Sequence, residues 1–131
     1  MRVNFVKNLF FSFLLFLISL APFQASDALS HDWVAVPNNQ YGEQLWDKNS
    51  VQNNQDGSIR VISKFIPKSS TQITQDILYT MDILCLDNTF RDVAVGVKKF
   101  NEFMNADSEW KDPNGDQLIL GVIDQACTFA N

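Results

Sequence analysis

The stretch from Tyr79 to Val95 constrains the fold more than any other, because it alternates like sheet and carries one of only two cysteines. Tyr79, Met81, Ile83 and Cys85 fall on one side of a period-2 ribbon, with Thr80, Asp82, Leu84 and Leu86 on the other. Past Asp87-Asn88, Arg91, Val93, Val95 and Val97 alternate against Phe90, Asp92, Ala94 and Gly96. Val, Ile, Tyr and Phe suit a pleated, half-buried surface, and Asp and Asn tolerate tight turns. This pattern predicts a central antiparallel hairpin.

The first residues read as an export signal. Arg2 and Lys7 stand in a short basic head, and Leu9–Leu20 is an almost pure apolar run. A membrane-spanning helix needs roughly 20 apolar residues, so the run is too short for one. Ser26-Asp27-Ala28 places small residues where a signal peptidase reads them, which predicts a leader over 1–28. Cleavage after Ala25 is a variant of the same reading. No cysteine lies near the exit, so lipid attachment there has no chemical basis. The whole chain carries a net charge of −5, and losing Arg2, Lys7 and Asp27 makes it one unit more negative. Such a surface repels phosphate backbones, so nucleic acid is not an expected partner.

What remains, 29–131, suffices for one modest core, which a staple would strengthen. Cys85 and Cys127, 42 residues apart, supply one most simply in an oxidising compartment. A loop of that length stabilises by about 4 kcal/mol on the chain-entropy model. Two free thiols or a metal site are the competing readings. With His31 the cysteines make three soft ligands without short spacing, which does not suit structural zinc.

Short strands are expected at Asp32–Val36, Tyr41–Trp46 and Ile59–Ile66, the last entered through the Asp56-Gly57 turn and stopped by Pro67. The segment Lys98–Met104 fits either helical spacing or a continued strand. Near the end Asp116 stands as a helix cap, and Ile119, Val122, Ile123, Ala126 and Cys127 repeat at helical spacing. Cys127 therefore lies on the stripe that must face the sheet.

In this order the pieces resemble the surface-adhesin E family of small exported bacterial proteins. The resemblance rests on Trp33, Leu45-Trp46-Asp47-Lys48-Asn49-Ser50-Val51, Gly57-Ser58-Ile59-Arg60-Val61 and Asp82-Ile83-Leu84-Cys85. Arg91, Trp110 ahead of Pro113 and a C-terminal helix carrying Cys127 complete it. It implies an α+β fold, an antiparallel β-sheet of about five to six strands with a C-terminal α-helix packed on it and tied by a disulfide. It also implies a binding, adhesin-like protein. The lipid-bearing cysteine of the lipoprotein members is missing, which implies a periplasmic or secreted product.

No nucleophile elbow, zinc-binding helix or phosphate loop is present, so no catalytic residue, cofactor or metal is expected. His31 sits at the fringe without an evident partner. Asp107, Glu109, Asp112, Asn114 and Asp116 cluster, but Gln117 and Ile123 occupy positions where an EF-hand needs glycine and a bidentate Glu. Among Trp33, Trp46, Trp110 and Tyr41, the pair Tyr41 and Trp46 flanks charged Glu43 and Asp47 in a polar segment. Core packing is the default for tryptophans in a small sheet protein; if any of these rings are exposed, Tyr41 and Trp46 are the candidate binding surface for a protein or glycan ligand of the cell envelope. Two other readings are a secreted hydrolase using Asp107 and Glu109, and a periplasmic inhibitor presenting the Pro67–Gln75 loop.

Overall fold

The computed structural model describes residues 30–97, 102–105 and 109–131, so the expected leader and Lys98–Asn101 lie outside the described residues. Among those residues the strands are β1 (Trp33–Ala35), β2 (Gly42–Asp47), β3 (Gln52–Asn53), β4 (Ile59–Pro67), β5 (Ile77–Leu84), β6 (Thr89–Val97) and β7 (Glu102–Asn105). Among the described residues the one α-helix is α1 (Gln117–Ala130), after a 3-10 turn at Lys48–Ser50. All strand pairings are antiparallel, in the order β1-β2-β4-β5-β6-β7, with the two-residue β3 added at the start of β4. Fold class and element order follow the sequence reading. The Lys98–Met104 ambiguity resolves in its described part into strand β7.

Turn chemistry sets the hairpins. Gly57 takes φ +86° in the β3–β4 turn, where the Asn54 carbonyl accepts from its N–H. Asn88 takes φ 52° between β5 and β6, a left-handed conformation that Asn tolerates. The central hairpin is present, with one departure from strict alternation. Thr80 pairs with Ala94 and Met81 with Asp92, so Val93 is the extra residue of a β-bulge. Register then puts Phe90, Asp92 and Val95 on the same face as Tyr79, Met81 and Ile83. Asp92 is thus turned toward the helix.

That face and the helix stripe make the core. Val61, Met81, Ile83, Val122 and Ala126 are fully buried, with Ile59, Ile123 and Trp46 nearly so. Each large apolar side chain buried in this way stabilises by roughly 1.5–3 kcal/mol. Asp116 caps α1, its Oδ1 accepting from the N–H groups of Leu118 (3.0 Å) and Ile119 (3.2 Å). Cys85 and Cys127 are bonded with their Cα atoms 5.7 Å apart, joining the end of β5 to the last turn of α1.

Gly121 explains how the helix comes so near the sheet. A Cβ built there would lie 2.8 Å from the Val36 Cβ, a contact that real side chains do not make. Alanine normally favours a helix interior by about 1 kcal/mol over glycine. Here Gly121→Ala is expected to lower stability, by roughly 1–2 kcal/mol net, because overpacking outweighs propensity. Urea titration of the two proteins checks the sign.

Candidate functional site

A concavity of about 710 Å³ lies where the start of α1 stands away from the sheet. Phe65, Tyr79 and Phe90 contribute from β4, β5 and β6, and Asp92 opens into it from beside the bulge. Asn114–Ile119 form the opposite wall, and Tyr41 stands at the rim. The sequence forces this shape locally. Asn39 Oδ1 accepts from the N–H groups of Tyr41 (2.8 Å) and Gly42 (3.3 Å), folding the β1–β2 connection so that Tyr41 projects. Gly42 is required there, since a Cβ would meet the Ile66 carbonyl and the Phe65 ring. On the far wall Asn114 (φ 48°) and Gly115 (φ 79°) are left-handed, and Asp112 accepts from the Asn114 N–H at 2.7 Å.

Electrostatics in the cleft are one-sided. Asp92 and Asp116 both line it, and none of the lining residues is basic. Asp116 is committed to the helix cap, whereas Asp92 makes no hydrogen bond or ion pair among the described residues. Burial pushes the Asp92 carboxyl above its ordinary 3.8, with the charge of Lys111 pulling weakly the other way. Tyr79 is also raised, first by burial and then by Asp92 and Asp116. An acid raised on folding contributes stability below its unfolded pKa and loses it as pH climbs through the folded value. Asp92 therefore costs stability at neutral pH. Asp92→Asn is expected to melt higher than the parent at pH 7, with the gap closing near pH 3, in a pH series of thermal melts.

The four aromatic residues singled out in the sequence do not share a patch. Tyr41 is 59% exposed. Trp46 is not exposed: at 3% it belongs to the core, which corrects its assignment to the binding surface. The physical reason is register, because Trp46 pairs with buried Ser63 on the helix side of the sheet. Its Nε1 donates to Gln125 Oε1 at 2.8 Å, making it an anchor for α1. Trp33 and Trp110 are half-buried, Trp33 under the Lys64 ammonium at 4.3 Å and Trp110 under the Arg91 guanidinium at 4.5 Å.

Lys64 and Arg91 belong to the helix-free face, whose centre is a buried charge that the sequence reading missed. Asp82 is fully buried and accepts from Arg60 Nε (2.7 Å) and Nη2 (3.0 Å), Arg91 Nη2 (2.9 Å) and Asn54 Nδ2 (3.1 Å). Burial drives its carboxyl upward, but these donors and the Arg60 charge outweigh it and leave the group below the ordinary range. A smaller hollow of about 210 Å³ beside it is lined by His31, Trp33, Ile62 and Lys64. His31 has a partner after all, Asp47, with Nδ1 2.6 Å from Oδ2. Asp47 also accepts from the N–H groups of Asp32 and Asn49, so it ties the residues just before β1 to the end of β2.

Of the remaining candidates, Glu109 and Asp112 are exposed and do not line the cleft, and Asp107 lies outside the described residues. The Pro67–Gln75 loop is a β4–β5 connection in which Thr71 bonds back to the Lys68 carbonyl and Ile73 is exposed.

The sequence profile of the surface adhesin-E family matches residues 34–131, from within β1 to the end of α1. The chain belongs to the surface adhesin-E family. No curated protein and no solved structure matches it. Family membership supports a surface-adhesin-like role. Among the described residues of this adhesin-E chain, no helix is long and apolar enough to cross a membrane.

Proposed function

We propose that this surface adhesin-E protein is an exported, non-enzymatic binding module of the cell envelope, taking a protein ligand in the cleft between the sheet and the start of α1. The observation that carries this reading is the cleft itself: aromatic walls, amide and phenol groups at the rim, and an exposed Tyr41 held out by the Asn39 turn. Interfaces concentrate their energy in such amphipathic aromatic residues. A binding role is favoured over hydrolysis by how the acids are used. Glycoside hydrolysis by side-chain carboxylates needs two of them flanking the scissile bond and free to exchange protons. Asp116 is occupied by two backbone donors, and Glu109 stands outside the cleft. Export rests on the basic head, apolar run and small-residue exit of residues 1–28.

An array of purified matrix proteins, envelope proteins and glycans, probed with the protein from residue 29 onward, tests the reading. Binding to a protein spot is expected, weakened about tenfold or more by Tyr41→Ala. Leu86→Ser alters a fully exposed residue outside the cleft and is expected to change nothing. No binding, or equal loss with both variants, would count against the cleft.

A further inference from the structure

The Asp92 carboxylate is an anomaly as a structural element. Position 92 is partly withdrawn from water, on the helix-facing side, and among the described residues nothing donates to its oxygens. Carboxylates in such places are normally paired, as Asp82 and Asp47 are here. Asp92 lines the cleft instead, together with Phe65, Tyr79 and Phe90. A carboxylate among aromatic faces is the pairing that a cation on an apolar stem needs: the acid and the ring faces attract the charge, and the rings cover the methylenes.

Resting on the reading of this cleft as the binding site, we propose that its specificity-determining contact is Asp92 with a lysine or arginine side chain of the protein partner. Three observations favour that occupant. The lining carries two carboxylates and no basic group, with Lys111 acting on Asp92 from outside it, so an acidic or phosphorylated group meets net negative charge. The positive end of α1, which would draw an anion, is already answered by Asp116. The whole chain is acidic at −5, which steers a basic surface toward it. A protein side chain suits the site better than a free amine, because a cleft of about 710 Å³ with exposed Tyr41 at its rim has room for the residues on either side.

Backbone amide NMR titration tests this with N-acetyl-arginine methylamide, N-acetyl-lysine methylamide and the uncharged N-acetyl-norleucine methylamide. The expected result is saturable shifts at Tyr79, Gly115 and Ile119 with a cationic probe, at least about tenfold weaker with norleucine and with Asp92→Asn. Free spermidine is expected to bind no more tightly than the arginine probe; tighter binding would reassign the site to small amines and overturn the proposal. Equal binding of charged and uncharged probes would overturn the charge preference while leaving the cleft a binding site. Shifts confined to residues outside the cleft, or none at all, would overturn the proposal as well. The array result with Tyr41→Ala stands apart from all of these, so failure of the cation contact and failure of the cleft are distinguishable.

Discussion

Asp82→Ala is expected to cost about 3–5 kcal/mol, a large share of the roughly 5–15 kcal/mol that holds a domain of this size together. The carboxylate is fully buried, and both guanidinium groups, together with the Asn54 amide, converge on it. Alanine leaves those donors facing a void at the junction of β4, β5 and β6. Arg60 and Arg91 are partly exposed, at 38% and 26%, so water recovers some of their hydration and the lower end of the range is expected. The pH signature is separate from the magnitude. A carboxyl depressed on folding adds stability above its unfolded value, near 3.8, and loses it as pH falls through the folded one. The gap between parent and Asp82→Ala in urea titrations is therefore widest at neutral pH and narrows below about 3.8. A variant as stable as the parent at pH 7 would show that the ion cluster is not a structural keystone.

Removing the disulfide is the second large effect. Cys85 and Cys127 close a loop with a sequence separation of 42, which constrains the unfolded chain by about 4 kcal/mol. The bond also joins two half-buried residues that pack against the core. In a domain of this size such a loss lowers the melting temperature by about 15–30 °C. The Cys85→Ala/Cys127→Ala double variant and the reduced parent are expected to agree with each other. Thermal melts of the oxidised, reduced and double-variant proteins check this. Equal melting of all three would mean that sheet and helix hold together without the bridge.

These two effects mark where the sequence was readable and where it was not. The helix was legible because Ile119, Val122, Ile123 and Ala126 keep one period from a clear cap at Asp116. The Cys127 position followed from the same stripe. The hairpin turns were legible because Asp56-Gly57 and Asp87-Asn88 carry the residues that left-handed backbone requires. Alternation failed at Val93, since a bulge is a tertiary choice that leaves no period in the chain. Losing that register hid the turn of Asp92 toward the helix, and with it the acid in the cleft. Trp46 was misplaced for a related reason: a polar neighbourhood in sequence says nothing about the face on which a strand residue lands. Asp82 in an apolar strand was a signal available in advance. A charge at a core-strand position demands a partner, and Arg60 and Arg91 stood in the flanking strands.

The cleft is made from pieces distant in sequence: the β1–β2 connection, the middle of the sheet and the loop before α1. No local pattern encodes it. What encodes it is the seating of α1 on the sheet, fixed by Gly121 against Val36, Trp46 to Gln125 and the bridge at Cys127.

Site-specific photocrosslinking from position 41 tests most directly whether that cleft is the binding face. A benzophenone side chain at 41, in the protein mixed with a partner found on the array, is predicted to give an adduct that the same group at 86 does not. Leu86 is more exposed than Tyr41, at 101% against 59%, so exposure alone would favour the control. Adducts from 86 but not 41 would contradict the assignment.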